Sequence, residues 1–177
     1  MTPSQLFPIL EGLAGRLNNF DQNAIEWVRQ VKSLLQSYNF RSLTDLQLTI
    51  LADVDATAEI VGSGSFTHLI AALVIMKGAI ATDAYGFVVF RGDEDDTTVA
   101  GNNVDNVDNI AIVSVQDVAV AGVNEYYGLI TAKGSNQTGA DSNAGFLTSD
   151  GIAVGADGGA AGAFATDACD VLLIYRD

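Results

Sequence analysis

The first 38 residues carry a regular pattern of apolar positions. Between positions 6 and 38, apolar residues recur at alternating spacings of four and three, which is typical of a helix that packs along one seam. We interpret residues 1–41 as a helical stalk that docks and oligomerises. Leu6 opens the pattern, and the positions assigned to the oligomer interface are Leu10, Leu13, Leu17, Phe20, Ala24, Trp27, Val31, Leu34 and Tyr38.

This helix is weaker in its first half than in its second. Gly12, Gly15 and the Asn18-Asn19 pair have poor helix propensity, and each glycine costs about 0.5–1 kcal/mol relative to alanine. One start is marked by Thr2-Pro3-Ser4-Gln5, which offers an N-cap, a proline in the first helical position and a capping glutamine. Pro8 would then cost a hydrogen bond in the second turn, which an alternative start near Phe7 avoids. A second interpretation therefore stays open, a helical hairpin broken at Asn18-Asn19 and folded onto the chain's own β domain.

Bulky side chains in the seam bear on how many helices meet there. Phe20 and Trp27 suit a wider core than that of a tight two-stranded coil, and Val28 and Leu35 broaden the apolar face. The pattern therefore predicts a homotrimer.

From residue 42 onward the pattern changes from helical to strand-like. Short segments rich in β-branched and aromatic residues alternate with clusters of Gly, Asp and Asn, which favours strands separated by turns. We predict strands at residues 46–53, 58–61, 66–77, 84–91, 109–120, 125–132, 144–148, 151–154 and 168–175, with turns at 62–65 and 149–151. Because no helix is interleaved, the fold class is mainly β with an N-terminal α segment. Residues 42–177 are expected to form an antiparallel, jelly-roll-like β-sandwich.

Charge narrows the range of partners. The 177 residues include 22 acidic and 8 basic ones, for a net charge of −14, so a phosphate backbone or an anionic membrane would repel the chain. The longest apolar run, residues 69–76, is too short to span a bilayer. The N-terminal residues also lack the basic start and apolar core of a signal peptide. We therefore expect neither nucleic acid nor membrane as a partner, and folding in a cytoplasm.

Few side chains suggest catalysis. The sole histidine, His68, lies in a predicted strand close to Ser63 and Ser65, but the Gly-x-Ser-x-Gly elbow of a hydrolase is missing. No base with a second residue to orient it accompanies either serine. We interpret His68 as structural and predict no catalytic residue.

Carboxylates are concentrated in the loop at residues 92–108. Residues 93–96 are all acidic, and oxygen-rich loops of this kind can hold Ca²⁺. Their order does not match an EF-hand, so we interpret the loop as a solvated acidic surface and predict no metal and no cofactor. The single cysteine, Cys169, excludes an intrachain disulfide and is interpreted as a small buried apolar residue.

Two segments resemble structural proteins of tailed-bacteriophage virions. They are Ser65-Phe66-Thr67-His68-Leu69 and, after an apolar strand, Tyr85-Gly86-Phe87-Val88-Val89-Phe90-Arg91-Gly92-Asp93. The similarity covers residues 58–135, and a helical segment before a β-sandwich resembles the plan of head-decoration, fibre and tail-knob proteins. The resemblance implies a trimer fixed to a virion, without enzymatic activity, and it carries over no functional residue.

These observations combine into one expected function and two alternatives. We expect a non-enzymatic capsid decoration, cement or short head-fibre protein that acts as a homotrimer. It would be assembled in the host cytoplasm and would bind a virion protein such as the major capsid protein. A receptor- or carbohydrate-binding head is the first alternative, with Tyr126 and Tyr127 as candidate contacts for a host glycan or receptor. A glycan-cleaving depolymerase is the second.

Overall fold

The computed structural model describes residues 1–17, 22–37, 46–55, 59–77, 85–92, 109–116, 126–130, 147–157 and 169–176. These residues form two helices, followed by seven strands. The helices are α1 (Pro3–Leu17) and α2 (Gln22–Ser37). The strands are β1 (Leu46–Val54), β2 (Glu59–Met76), β3 (Tyr85–Arg91), β4 (Asn109–Gln116), β5 (Tyr126–Ile130), β6 (Leu147–Asp157) and β7 (Cys169–Arg176). The prediction of a mainly β chain with an N-terminal α segment is confirmed.

The long strand β2 joins two halves of an antiparallel sheet. The strand order is β1-β7-β2-β6-β3-β4, and β5 pairs separately with β2. Residues 71–75 of β2 pair with β7 along one edge and with β5 along the other. The first part of β2, residues 59–69, pairs with β6, and its last two residues, 68 and 69, also pair with β7. One half of the sheet is therefore β1-β7-β2-β5, and the other is β2-β6-β3-β4.

The main apolar core lies between these two halves. It combines buried residues from β1, β2, β3, β4, β6 and β7. On β7, Val171, Leu173 and Tyr175 point into this core, whereas Leu172 and Ile174 belong to a second cluster on the opposite face. This alternation follows from the two-residue period of a strand. Because both faces of β7 are covered, its apolar run is continuous.

The two helices form a third layer over that opposite face. Lys32 Nζ lies 2.6 Å from Glu11 Oε1 and 5.4 Å from the centre of the Phe7 ring. On one continuous helix the 21-residue separation of Glu11 and Lys32 would place them about 30 Å apart. The helices therefore fold back on each other as a hairpin. The described residues show the docked hairpin that the sequence left open, and the oligomeric role of this segment stays a prediction.

The start of α1 follows its sequence signal. The helix begins at Pro3, and the Thr2 backbone N–H donates to Gln5 Oε1 at 2.9 Å. The N–H groups of Gln5 and Leu6 both donate to the Thr2 carbonyl at 3.0 Å. The capping glutamine therefore satisfies one of the backbone donors that a helix start leaves open.

Two predicted turns lie inside strands instead. Residues 62–65 belong to β2 and residues 149–151 belong to β6. The two segments are opposite each other, since Val61 pairs with Ile152 and Ser65 with Asp150, with a register shift in between. Gly62 and Gly151 have φ of 77° and 88°, which only glycine adopts readily. The glycines therefore mark one irregularity in the β2–β6 ladder, a β-bulge, and not two chain reversals.

Candidate functional site

Six of the nine residues predicted to join separate chains are described, and they lie at the interface between the helices and the sheet. Leu10, Ala24, Trp27, Val31 and Leu34 are all at most 7% exposed. Leu13 is partly buried and packs against the same cluster. The side chains of Leu17, Phe20 and Tyr38 lie outside the described residues.

The contacts of this seam are made within one chain. Its side chains share a cluster with Ile70 and Leu73 of β2 and with Leu172 and Ile174 of β7. Leu46 of β1 completes the sheet side of the cluster. A heptad pattern requires that one face of a helix be covered but does not say by what. Here the chain's own sheet covers it, so these five side chains are not available to another chain in this arrangement.

Trp27 and Gly128 make the closest approach between helix and sheet. A Cβ atom placed on Gly128 would lie 2.5 Å from Trp27 Cδ1 and 3.2 Å from Trp27 Cγ. Real Cβ atoms do not come so close, so β5 needs a glycine at this position for the indole to pack on it. Sequence reasoning missed this pair. A glycine inside an otherwise strand-forming segment was the available signal, because it often marks a close backbone approach.

A second group of interacting side chains lies where β1, β2 and β7 come together at one end. Lys77 forms ion pairs with Asp53 and with Asp170. The Asp53 backbone N–H also donates to Asp170 Oδ1 at 3.0 Å, and Asp53 has a left-handed φ of 59°. Asp53 lies within the register shift of the β1–β7 ladder, between Leu51 and Val54. The lysine and the two aspartates therefore fasten a β-bulge.

Electrostatics at this cluster favour the charged lysine. Burial alone would lower the pKa of Lys77, but hydrogen bonds and Coulomb attraction from Asp170 and Asp53 outweigh it and raise that pKa above its ordinary value of 10.5. The three residues are far apart in sequence, and each is an ordinary charged residue in its local context. Sequence reasoning had no signal to bring them together.

Cys169 lies next to this cluster, but its thiol has low reactivity. Burial raises the pKa of its thiol to about 12, with a smaller contribution from Asp170 and an opposing one from Lys77. Its Sγ lies 3.9 Å from the Val54 carbonyl oxygen. A thiol with this pKa stays protonated at neutral pH and is a poor nucleophile. The interpretation of Cys169 as a small buried residue is confirmed.

His68 lies at the point where β2 changes partners. Its cross-strand neighbours are Thr148 on β6 and Arg176 on β7, so neither neighbouring position supplies a carboxylate to orient the imidazole. Nδ1 of His68 is buried and has no hydrogen-bond partner in the described part of the chain. The side chains of Ser63 and Ser65 lie outside the described residues. Among the residues that the structure describes, no nucleophile and base are brought together around His68.

The remaining candidates from the sequence are the acidic segment at residues 92–108 and the pair Tyr126-Tyr127. Residues 93–108 of the acidic loop lie outside the described residues, and the residues that are described contain no group of three or more side chains able to hold a metal ion. Tyr127 is partly buried and packs against the main core, and the side chain of Tyr126 is not described. Within the described ranges, no helix is long and apolar enough to cross a membrane.

No family model matches this sequence, and no curated protein matches it either.

Proposed function

We propose that this chain is a non-enzymatic structural protein of a tailed-phage virion, a capsid decoration, cement or short head-fibre protein. It binds the virion through a shell component such as the major capsid protein, and it acts as an oligomer of identical chains, a homotrimer.

The observation that carries this proposal is the location of the two phage-like segments. The first, Ser65–Leu69, lies on β2, and the first seven residues of the second, which runs from Tyr85 to Asp93, form β3. Both strands pair with β6: His68 is opposite Thr148, and Phe90 is opposite Val154. The segments that carry the resemblance therefore lie in one half of the sheet, on either side of a shared strand. This arrangement supports treating the two segments as parts of one structural unit.

The packing of the layers also supports a structural role. Strand β7 is buried on both faces, and the helices cover the outer face of its half of the sheet. In this three-layer arrangement the clustered apolar side chains are used for packing within the chain. Such packing suits a protein whose role is to bind other proteins through its outer surface. Because the helix seam is occupied within the chain, the proposed oligomer would form through other surfaces.

Association with particles tests this proposal. Assembled virions from the source are separated on a density gradient, and the copy number of this chain relative to the major capsid protein is measured by mass spectrometry. We expect the chain in the particle fraction in a fixed ratio. Purified chain added to a particle-free lysate is the control and should stay at the top of the gradient. A chain that stays at the top in both samples would refute the proposal, as would release of saccharide from host polysaccharide by the purified chain.

A further inference from the structure

The faces that α1 and α2 bury against the sheet share one helical phase. Three apolar positions of α1 in the cluster between helices and sheet each have a counterpart in α2 that lies 18 residues further along the chain. The pairs are Leu6 and Ala24, Leu10 and Val28, and Leu13 and Val31. On one continuous helix, 18 residues make about five complete turns, so the two members of each pair would lie on the same face.

A helical hairpin does not require this relation. The connection between the helices of a hairpin interrupts the helical period, so each helix can be rotated independently about its own axis when it packs. Here the connection is the four residues 18–21, because α1 ends at Leu17 and α2 begins at Gln22. Residues 16–37 contain neither glycine nor proline, the residues that most often stop a helix. The sequence is therefore compatible with one continuous helix over residues 3–37 as well as with the hairpin.

The contact between Glu11 and Lys32 shows how two continuous helices would fit together. Their charged atoms lie 2.6 Å apart in the hairpin. Two continuous helices that pack antiparallel about a two-fold axis midway between positions 11 and 32 repeat this contact twice, with Glu11 of each copy beside Lys32 of the other. When the axis is perpendicular to the helix layer, both sheets lie on the same side of that layer. The shared phase then directs the buried faces of both halves of each helix toward the sheets.

We propose that two copies of this chain exchange α1. In the exchanged form residues 3–37 make one helix, α2 stays on its own sheet, and α1 packs on α2 and the sheet of the second copy. Leu6 and Leu10, which are at most 1% exposed in the hairpin, then fill the same places in the second copy. The hairpin itself identifies what occupies this surface, because the chain's own α1 already covers it. The inference uses only the contacts of the helices and does not rest on the proposed function.

The balance between the two forms depends on protein concentration. The exchanged form remakes the contacts that α1 makes in the hairpin, so these contacts favour neither form. Association costs translational and rotational freedom, and chains with a net charge of −14 repel each other, so the hairpin monomer prevails in dilute solution. Copies held side by side on a larger assembly exchange more readily because their effective concentration is higher. Exchange is slow, since Leu6 and Leu10 must first leave the apolar cluster.

Carbodiimide cross-linking of mixed isotopes tests the exchange. Unlabelled and isotope-labelled full-length chains are unfolded in urea, mixed in equal amounts and refolded at high concentration in about 0.15 M salt. Carbodiimide then joins a carboxylate and an amine in contact as an amide and takes up the water released. Mass spectrometry shows whether the two peptides of each Glu11–Lys32 cross-link come from one chain or from two. We expect mixed-isotope pairs to approach half of these cross-links and to fall to background after dilute refolding.

Lys77 supplies the internal control for this experiment. Its ion pairs with Asp53 and Asp170 join strands of one sheet in both forms, so its cross-links should hold peptides of a single chain at every concentration. A Glu11–Lys32 cross-link that never contains mixed isotopes would overturn the proposal. Equal mixing at Lys77 would overturn it as well, because it would indicate association that does not involve α1.

Substitutions in the connection test the continuous helix. Asn18→Ala/Asn19→Ala favours a helix through residues 18–21, and Asn18→Gly/Asn19→Gly disfavours it. The two variants are matched because both remove the same side-chain amides. After refolding across a concentration series, sedimentation should give a dimer dissociation constant that is lower for the alanine variant by about a hundredfold or more. Equal constants for the two variants would refute a continuous helix, and so would tighter association of the glycine variant.

Discussion

Helix α2 and strand β7 meet at the same interface but bury their apolar residues in different ways. On α2, the buried residues Ala24, Trp27 and Val31 share one face, while Glu26 and Arg29 are exposed. On β7, successive residues are buried in two different clusters, one on each face. An amphipathic helix has one apolar face to bury, and either a neighbouring chain or the chain's own sheet can pack against that face. A strand with a continuous apolar run needs packing layers on both of its faces. The sequence of β7 therefore predicts how many layers surround it, whereas the sequence of α2 does not say which element packs on it.

Trp27→Ala should have the largest effect on stability of the substitutions at the interface between α2 and the sheet. The indole is 3% exposed and packs against Gly128 of β5, so its removal leaves a cavity between α2 and the sheet. We expect a loss of about 3–5 kcal/mol in the free energy of unfolding, measured by urea denaturation with circular dichroism. Because the contact lies within one chain, the loss should not depend on protein concentration. A midpoint that shifts with concentration only in the wild type would instead indicate that the seam joins separate chains.

Two glycine substitutions test the close approach of helix and strand. Gly128→Ala forces a methyl group into the Trp27 ring, and overpacking of this kind costs about 1–3 kcal/mol. Gly12→Ala is the matched control, because nothing lies within 4 Å of a Cβ at Gly12, and alanine in a helix should stabilise the chain by about 0.5–1 kcal/mol. Trp27 is the single tryptophan, so its fluorescence reports the contact directly. Opposite signs for the two variants are expected. A neutral Gly128→Ala with unchanged emission would contradict the packing.

Lys77→Met tests the charged end of β1, β2 and β7, where the effect should be smaller. Its partly exposed ion pairs with Asp53 and Asp170 contribute about 0.5–1 kcal/mol in total. Because folding raises the pKa of Lys77 above 10.5, this stabilisation is fully present below pH 10.5 and is lost as the pH rises through the raised pKa. The difference in unfolding free energy between wild type and Lys77→Met should therefore be constant near neutral pH and vanish in strong alkali. A difference that persists there would show that the pairs do not cause it.

The β architecture was predictable because its signal is local. Residues 46–54, 66–76, 85–91 and 169–176 contain several β-branched or aromatic residues, and each of these segments is a strand or part of one. The predicted turns at Gly62 and Gly151 were wrong because a glycine permits a positive φ in a β-bulge as readily as in a turn. Strand pairing, which places these glycines on facing strands, is not visible in local sequence.

The packing of the helices on the sheet could also be predicted in part from the sequence. The apolar runs at residues 69–76 and 171–175 are continuous, whereas a strand with one covered face alternates between apolar and polar residues. These runs indicate a further layer, and the amphipathic segment at residues 6–38 was available to supply it. The Lys77, Asp53 and Asp170 cluster had no such signal, because its members meet only through the fold.

The ion pair between Glu11 and Lys32 should make the smallest contribution to stability. It nevertheless distinguishes a helical hairpin from a continuous helix most directly. Their charged atoms lie 2.6 Å apart across α1 and α2, and an exposed pair of this kind is worth about 0.2–1 kcal/mol. A double-mutant cycle with Glu11→Gln and Lys32→Met isolates their coupling from other contacts, including that of Lys32 with the Phe7 ring. We expect a favourable coupling that falls in 1 M salt as the charges are screened. On a continuous helix the two residues would be about 30 Å apart and uncoupled, so a coupling of zero at low salt would contradict the hairpin even if every larger effect had the expected sign.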